Sequence, residues 1–162
     1  MKYILSAEDN GINFDAYASY LATIENKLPP HIFEFASNPK HYDLTSVESL
    51  HDSWLERFVV HEISGGTSAP RKTEIYLALL GPFQDRLTVI RYTDVSAYSS
   101  KMFEAADNPR SKQIGHGNLY THEITLTPLS NIRHELLFEL NSNIVIECKD
   151  FTVSWEKLNA ST

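Results

Sequence analysis

The sequence predicts an α+β domain in which N-terminal helices pack on a strongly curved antiparallel β-meander of about six strands. Three observations lead there. Phe14, Tyr17, Ala18, Leu21, Ile24 and Leu28 recur at the spacing of one helical stripe. From Trp54 onward the apolar residues alternate with polar ones at period two, as on a half-buried strand. The connections between these strands are turn-sized, and parallel neighbours would need helix-length crossovers. The 162 residues suit one domain, 1–162, with a helical part over 1–45 and a sheet over 46–158.

The first helix runs from about Asn13 to Lys27, with Asn13 as its cap and Asp15 in the first turn, where the helix dipole favours a carboxylate. Pro29 and Pro30 stop it and open a second, "PHIFEFAS", that ends before Pro39. The stripe is expected to lie against the sheet. After a strand beginning at Trp54, "TEIYLALL" places Thr73, Ile75, Leu77 and Leu79 on one face. "RLTVIRYTDVSAY" follows the Gly-Pro turn signal "GPFQD" and reads as one strand.

Next, "NLYTHEITL" groups Tyr120, His122, Ile124 and Leu126, and "NIRHELLFEL" groups Ile132, His134, Leu136, Phe138 and Leu140. In "NIVIECKDFTVSW" the inward set begins as Ile144, Ile146 and Cys148 and continues as Phe151, Val153 and Trp155. That switch from even to odd numbers predicts a β-bulge near Lys149-Asp150. The longest connection, residues 99–117, holds a turn of helix at "KMFEAAD" and an exposed tip around Pro109, Gly115 and Gly117.

Composition narrows the function. With 42% hydrophobic residues the chain can bury a core unaided, and one cysteine allows no internal disulfide. The opening "MKYILSAEDNG" is too short in apolar residues for a signal peptide. No stretch reaches the ~18 apolar residues of a membrane helix, so a cytoplasmic protein is expected. The net charge of −7 and the scattering of the basic residues argue against nucleic acid as a ligand and for a basic partner. "ISGGTSAPRKT" lacks phosphate-loop spacing, no G-x-S-x-G is present, and Cys148 sits mid-strand as a small hydrophobe. No cofactor and no catalytic residue are assigned.

The histidines carry what chemistry there is. Three of the seven occur as His-Glu-aliphatic, at His61, His122 and His134, and on a strand each His and its Glu point to opposite faces. None begins H-E-x-x-H. If Leu126 pairs with Ile132, His122 lies opposite Leu136 and His134 opposite Ile124, making the imidazoles diagonal neighbours about 7–8 Å apart at the backbone. They are then either ordinary core histidines or two ligands of a metal or small molecule whose third donor would be His51, Asp52 or His116. His51-Asp52 reads as a turn ahead of the first strand, with Asp52 and Ser53 able to bond their own backbone and fix the strand start, and Trp54 anchoring it by burial. His116, in "IGHGN", reads as exposed in a turn.

"LHDSWLERFVV", "IYLALLG", "LTVIRY", "HGNLYTHEI", "HELLFE" and "IVIECKDFTV", spread over about residues 49–155, resemble a group of small bacterial proteins with a Leu-His-Asp-Ser strand start. Similar sequences occur among the immunity proteins of polymorphic toxin systems. The resemblance implies a β-rich cytoplasmic binder of a secreted toxin and brings no catalytic residues with it. The expected function is therefore a non-enzymatic binding protein for a basic toxin or enzyme, with His51, Asp52, Trp54, His116, His122 and His134 as candidate binding residues. The alternatives are a metal- or small-molecule-binding protein or hydrolase built on the histidines, and a homo-oligomer joined through an exposed strand edge.

Overall fold

The structure is a computed structural model that describes residues 1–4, 12, 14–64, 66, 69–102 and 115–158. Helix α1 (Phe14–Ile24) runs into a 3-10 turn, and α2 (Pro30–Ser37) starts behind Pro29, as the proline pair requires. Tyr17, Leu21, Ile24 and Leu28 of the predicted stripe are buried, while Phe14 and Ala18 at its start are exposed. The capping role expected of Asn13 and most of the helical turn expected at "KMFEAAD" lie outside the described residues.

The described residues form eight strands in two four-stranded antiparallel sheets, not one strongly curved meander of six. The first sheet has the order β1-β2-β3-β8, built from β1 (Trp54–Ile63), β2 (Lys72–Leu80), β3 (Arg86–Thr93) and β8 (Asp150–Lys157). The second has the order β4-β7-β6-β5, from β4 (Ala97–Lys101), β5 (Leu119–Leu126), β6 (Ile132–Phe138) and β7 (Asn143–Cys148).

The correction has a local cause. The segment expected as one strand from Arg86 breaks at Asp94, whose φ of 49° is left-handed, and resumes as β4 in the other sheet. Its partner breaks at Lys149, where a bulge was expected. Thr93 pairs with Asp150 on one side of the break and Ala97 with Glu147 on the other. Two paired strands thus cross between sheets together, a corner of the kind that joins packed sheets. The odd set expected after Lys149 faces inward, but its burial fades from Phe151 through Val153 to Trp155, which is 46% exposed.

A single buried cluster joins both helices and both sheets, from Leu21 and Phe35 to Ile75, Ile90, Ile124, Leu136 and Ile146. Strand β5 ends the second sheet, and its outer backbone groups are taken up individually. The Asp52 N–H donates to Leu119 O and the Leu119 N–H to Ser53 O. Further along, the Tyr17 hydroxyl accepts from the Ile124 N–H at 2.8 Å, and the Tyr20 hydroxyl accepts from the Leu126 N–H at 2.9 Å. Side chains of α1 thereby close an edge that would otherwise invite another strand. On the face of β5 away from His122, the buried Glu123 carboxylate accepts the backbone N–H groups of Lys2, Tyr3 and Ile4 at 2.7–2.8 Å.

Candidate functional site

The register places the two strand histidines as the sequence predicts: Leu126 pairs with Ile132, His122 with Leu136, and Ile124 with His134. Both imidazoles are buried between the sheets, with His122 Nδ1 3.2 Å from His134 Nε2. His134 Nδ1 lies 2.8 Å from the Tyr92 hydroxyl of the facing sheet. Tyr42 stacks flat on His122 at 4.7 Å, and Phe151 stacks on His134 at 5.6 Å.

Tyr92, His134 and His122 form one hydrogen-bonded chain, the Tyr92 hydroxyl meeting His134 Nδ1 and His134 Nε2 meeting His122 Nδ1. His122 Nε2 ends the chain, buried and without a partner. Burial holds both rings neutral: the His134 pKa falls to about 3, and that of His122 falls well below 6.5, by burial first and then by the nearby His134 and His41.

His41, which no sequence pattern marks, joins this group from the 3-10 turn after α2. It is 3% exposed, donates from Nδ1 to Phe35 O at 3.0 Å, and leaves Nε2 as an acceptor with no partner. Its ring lies 6.4 Å from that of His122. Burial lowers its pKa too.

The other candidates do not converge with this pair. His51 is half-buried, 5.9 Å from the Tyr120 ring, with its Nδ1 3.3 Å from the Asp52 carboxylate but not aligned as a hydrogen bond. Asp52 takes a φ of 62°, confirming the turn, yet the Ser53 hydroxyl is buried and bonds nothing. The strand start is held by backbone bonds to Leu119 instead. Tyr120 does not join His122 on the inner face, because a bulge between Leu119 and Thr121 turns it outward and puts Leu119 inside.

Two expectations reverse. Trp54 is not a buried anchor: its backbone bridges Asn118, but its side chain is 47% exposed. His116 is buried rather than exposed, held between the hydroxyls of Ser100 and Ser142 and against Phe138 at 4.9 Å. Burial lowers its pKa. Trp54 and His116 nevertheless line one cavity of 480 Å³ with Leu55 and Met102.

No family model, curated protein or solved structure matches this chain. The site must therefore be read from its own geometry. Among the described residues no group of three or more His, Cys, Asp or Glu side chains is arranged to hold a metal ion. No helix among them is long and apolar enough to cross a membrane.

Two more clefts flank α2. A nearly apolar one of 460 Å³ separates α1 from α2, between Leu21, Phe33 and Tyr42. The third, of 430 Å³, lies between α2 and β8 and holds a hydrogen bond between residues distant in sequence, from His31 Nε2 to Asp150 Oδ1 at 2.8 Å.

Proposed function

We propose that the protein is a non-enzymatic binding protein whose partner is a basic protein, as the resemblance to immunity proteins implies. The observation that supports this is the seam where the edge strands of the two sheets meet. Phe58 of β1 lies 6.2 Å from Tyr98 of β4, and Trp54 and Met102 line one cavity at the same seam. Trp54, Tyr98 and Met102 are 47%, 52% and 57% exposed. Trp, Tyr and Met are the residue types enriched at the centres of interfaces, where large side chains bury much area for little lost entropy.

The net charge of −7 favours a basic partner and would speed its encounter. Asp52 and Glu56 flank Trp54, while Arg57 and Lys101 stand on the same two edges, so the preference comes from the whole molecule more than from the seam. His122 and His134 contribute by fixing the core that positions both edges.

A photo-crosslinking residue installed at Tyr98 identifies the partner in the native host, and the purified partner is then titrated. The reading requires a basic protein bound in a salt-dependent manner and at least tenfold more weakly by a Trp54→Ala/Tyr98→Ala variant. Equal binding by variant and parent would sink it. So would a crosslink solely to a second copy of the chain, with light scattering showing a dimer that the variant abolishes.

A further inference from the structure

Each sheet has two edge strands, and the fold closes or blunts three of the four. The outer backbone groups of β5 are taken up by Asp52, Ser53 and the hydroxyls of Tyr17 and Tyr20. Strand β8 meets α2 at its start, where His31 Nε2 lies 3.1 Å from Phe151 O, and it ends in the charged pair Glu156-Lys157. Strand β4 is five residues long and ends in Lys101. Cover, charge and shortness are the devices that keep a sheet edge from pairing with another chain.

Strand β1 is left open. It is ten residues long, holds no Pro or Lys, and has its one irregularity near the start, between Leu55 and Arg57. Residues 57–63 pair in regular register with β2. Among the described residues, no backbone group of that stretch bonds anything on its other side. Phe58, Val59 and Val60 form its middle, residue types that favour a strand. Phe58 and Val60 stand opposite the buried Leu77 and Ile75, so they continue the inner face of the sheet to a place where Val60 is still exposed.

An extended segment laid along residues 57–63 gains the main-chain hydrogen bonds that β1 leaves unmade, and its alternate side chains fall beside Phe58 and Val60. Such a segment carries apolar residues at every second position. A second copy of this chain is a poor source of it. Twofold pairing over all of residues 57–63 centres on Val60 and sets Phe58 of each copy against Glu62 of the other. It also brings together two molecules that each carry a charge of −7, a repulsion that a basic protein turns into attraction.

We propose that β1 receives an extended segment of the basic partner as a fifth strand of the first sheet, an inference that rests on the function proposed above. Trp54 and Phe58 belong to β1 itself, so the added strand runs along the same seam. Main-chain bonds hold the segment, and the pockets beside Phe58 and Val60 select its side chains.

The probe is the acetylated, amidated heptapeptide Lys-Val-Thr-Phe-Thr-Val-Lys, whose residue order is the same from either end. Amide exchange across the whole protein is followed by NMR with and without it. At saturation, the outward-facing amides among residues 57–63 are expected to exchange at least fivefold more slowly. A peptide with Glu in place of Lys should bind at least fivefold more weakly. A copy N-methylated at Phe and at the following Thr keeps every side chain but loses an N–H on each edge, and should give no protection. Absence of protection, equal protection by the N-methylated copy, or protection confined to other strands would overturn the proposal. So would light scattering that shows a dimer whose β1 amides are protected without peptide. The partner itself is tested by the crosslink at Tyr98, which makes no use of the β1 backbone. A basic protein found there that leaves the β1 amides unprotected would overturn the added strand and keep the partner.

Discussion

Lowering the pH from 7 to 5 should destabilise this protein steeply, and the buried histidines set the size of the effect. An unfolded His takes up a proton near pH 6.5, whereas His134 in the fold does so only near 3. Between those values the unfolded state binds the proton and the folded state does not, so stability falls as pH falls through that window. Each pH unit is worth about 1.4 kcal/mol per such group, so His134 alone removes about 2 kcal/mol by pH 5. His122 is shifted in the same direction by the same burial and steepens the slope, and His41 and His116 add to it. Against a typical total of about 5–15 kcal/mol, that loss is large.

Urea denaturation at pH 7, 6 and 5 measures the slope directly. His122→Phe is the informative variant, because a phenyl ring keeps the stack on Tyr42 while removing one titrating group. Its slope should be shallower by close to one proton, whatever the substitution does to stability at pH 7. In the native protein, the His134 ring proton signals should not titrate above pH 5. A parent whose stability is flat between pH 7 and 5, or a variant with an unchanged slope, would show that these rings are not held neutral by burial and refute the reasoning.

Two further outcomes follow from single groups. Glu123→Ala leaves three backbone N–H groups of Lys2, Tyr3 and Ile4 without their shared charged acceptor, and should cost about 2–4 kcal/mol in chemical denaturation. Glu123→Gln, with one acceptor oxygen and no charge, should recover only part of that. Cys148 is fully buried and its thiol is pushed up to about 12, mainly by burial, so a thiol reagent at pH 7.5 should modify it at the rate of unfolding and quickly in urea.

The elements of this fold were legible where a local pattern sufficed. The proline pair bounded α2, and the alternation in "NIRHELLFEL" gave the register of β5 with β6, and through it the His122–His134 neighbourhood. Curvature and strand number were not local. Period two continues across Asp94 and across Lys149 with at most a phase slip, and a phase slip reads the same whether the strand bulges or changes sheets. Only the partner decides, since Thr93–Asp150 and Ala97–Glu147 break in step.

Burial at the candidate site failed to show for the same reason. Trp54 is apolar and was expected inside, yet its backbone bridges Asn118 while its side chain is 47% exposed. His116 lies between two glycines and was expected outside, yet Ser100 of β4 and Ser142, just ahead of β7, meet it from elsewhere in the sequence. His41 is the sharpest case. Its neighbours "PKHYD" look like a polar turn, and nothing in that stretch marks a core residue. The 3-10 turn after α2 carries it beneath Phe35, where its ring lies 4.5 Å away, and it ends beside His122. Its Nε2, like that of His122, is buried and bonds nothing, and each such orphaned atom costs about 1–3 kcal/mol. A His41→Phe substitution removes one of them together with the Nδ1–H that Phe35 O accepts, so stability at pH 7 should change little in urea denaturation. The loss of stability between pH 7 and 5 should be smaller in the variant, because a ring that burial holds neutral has been removed. An unchanged pH dependence would show that His41 is not held neutral in the fold.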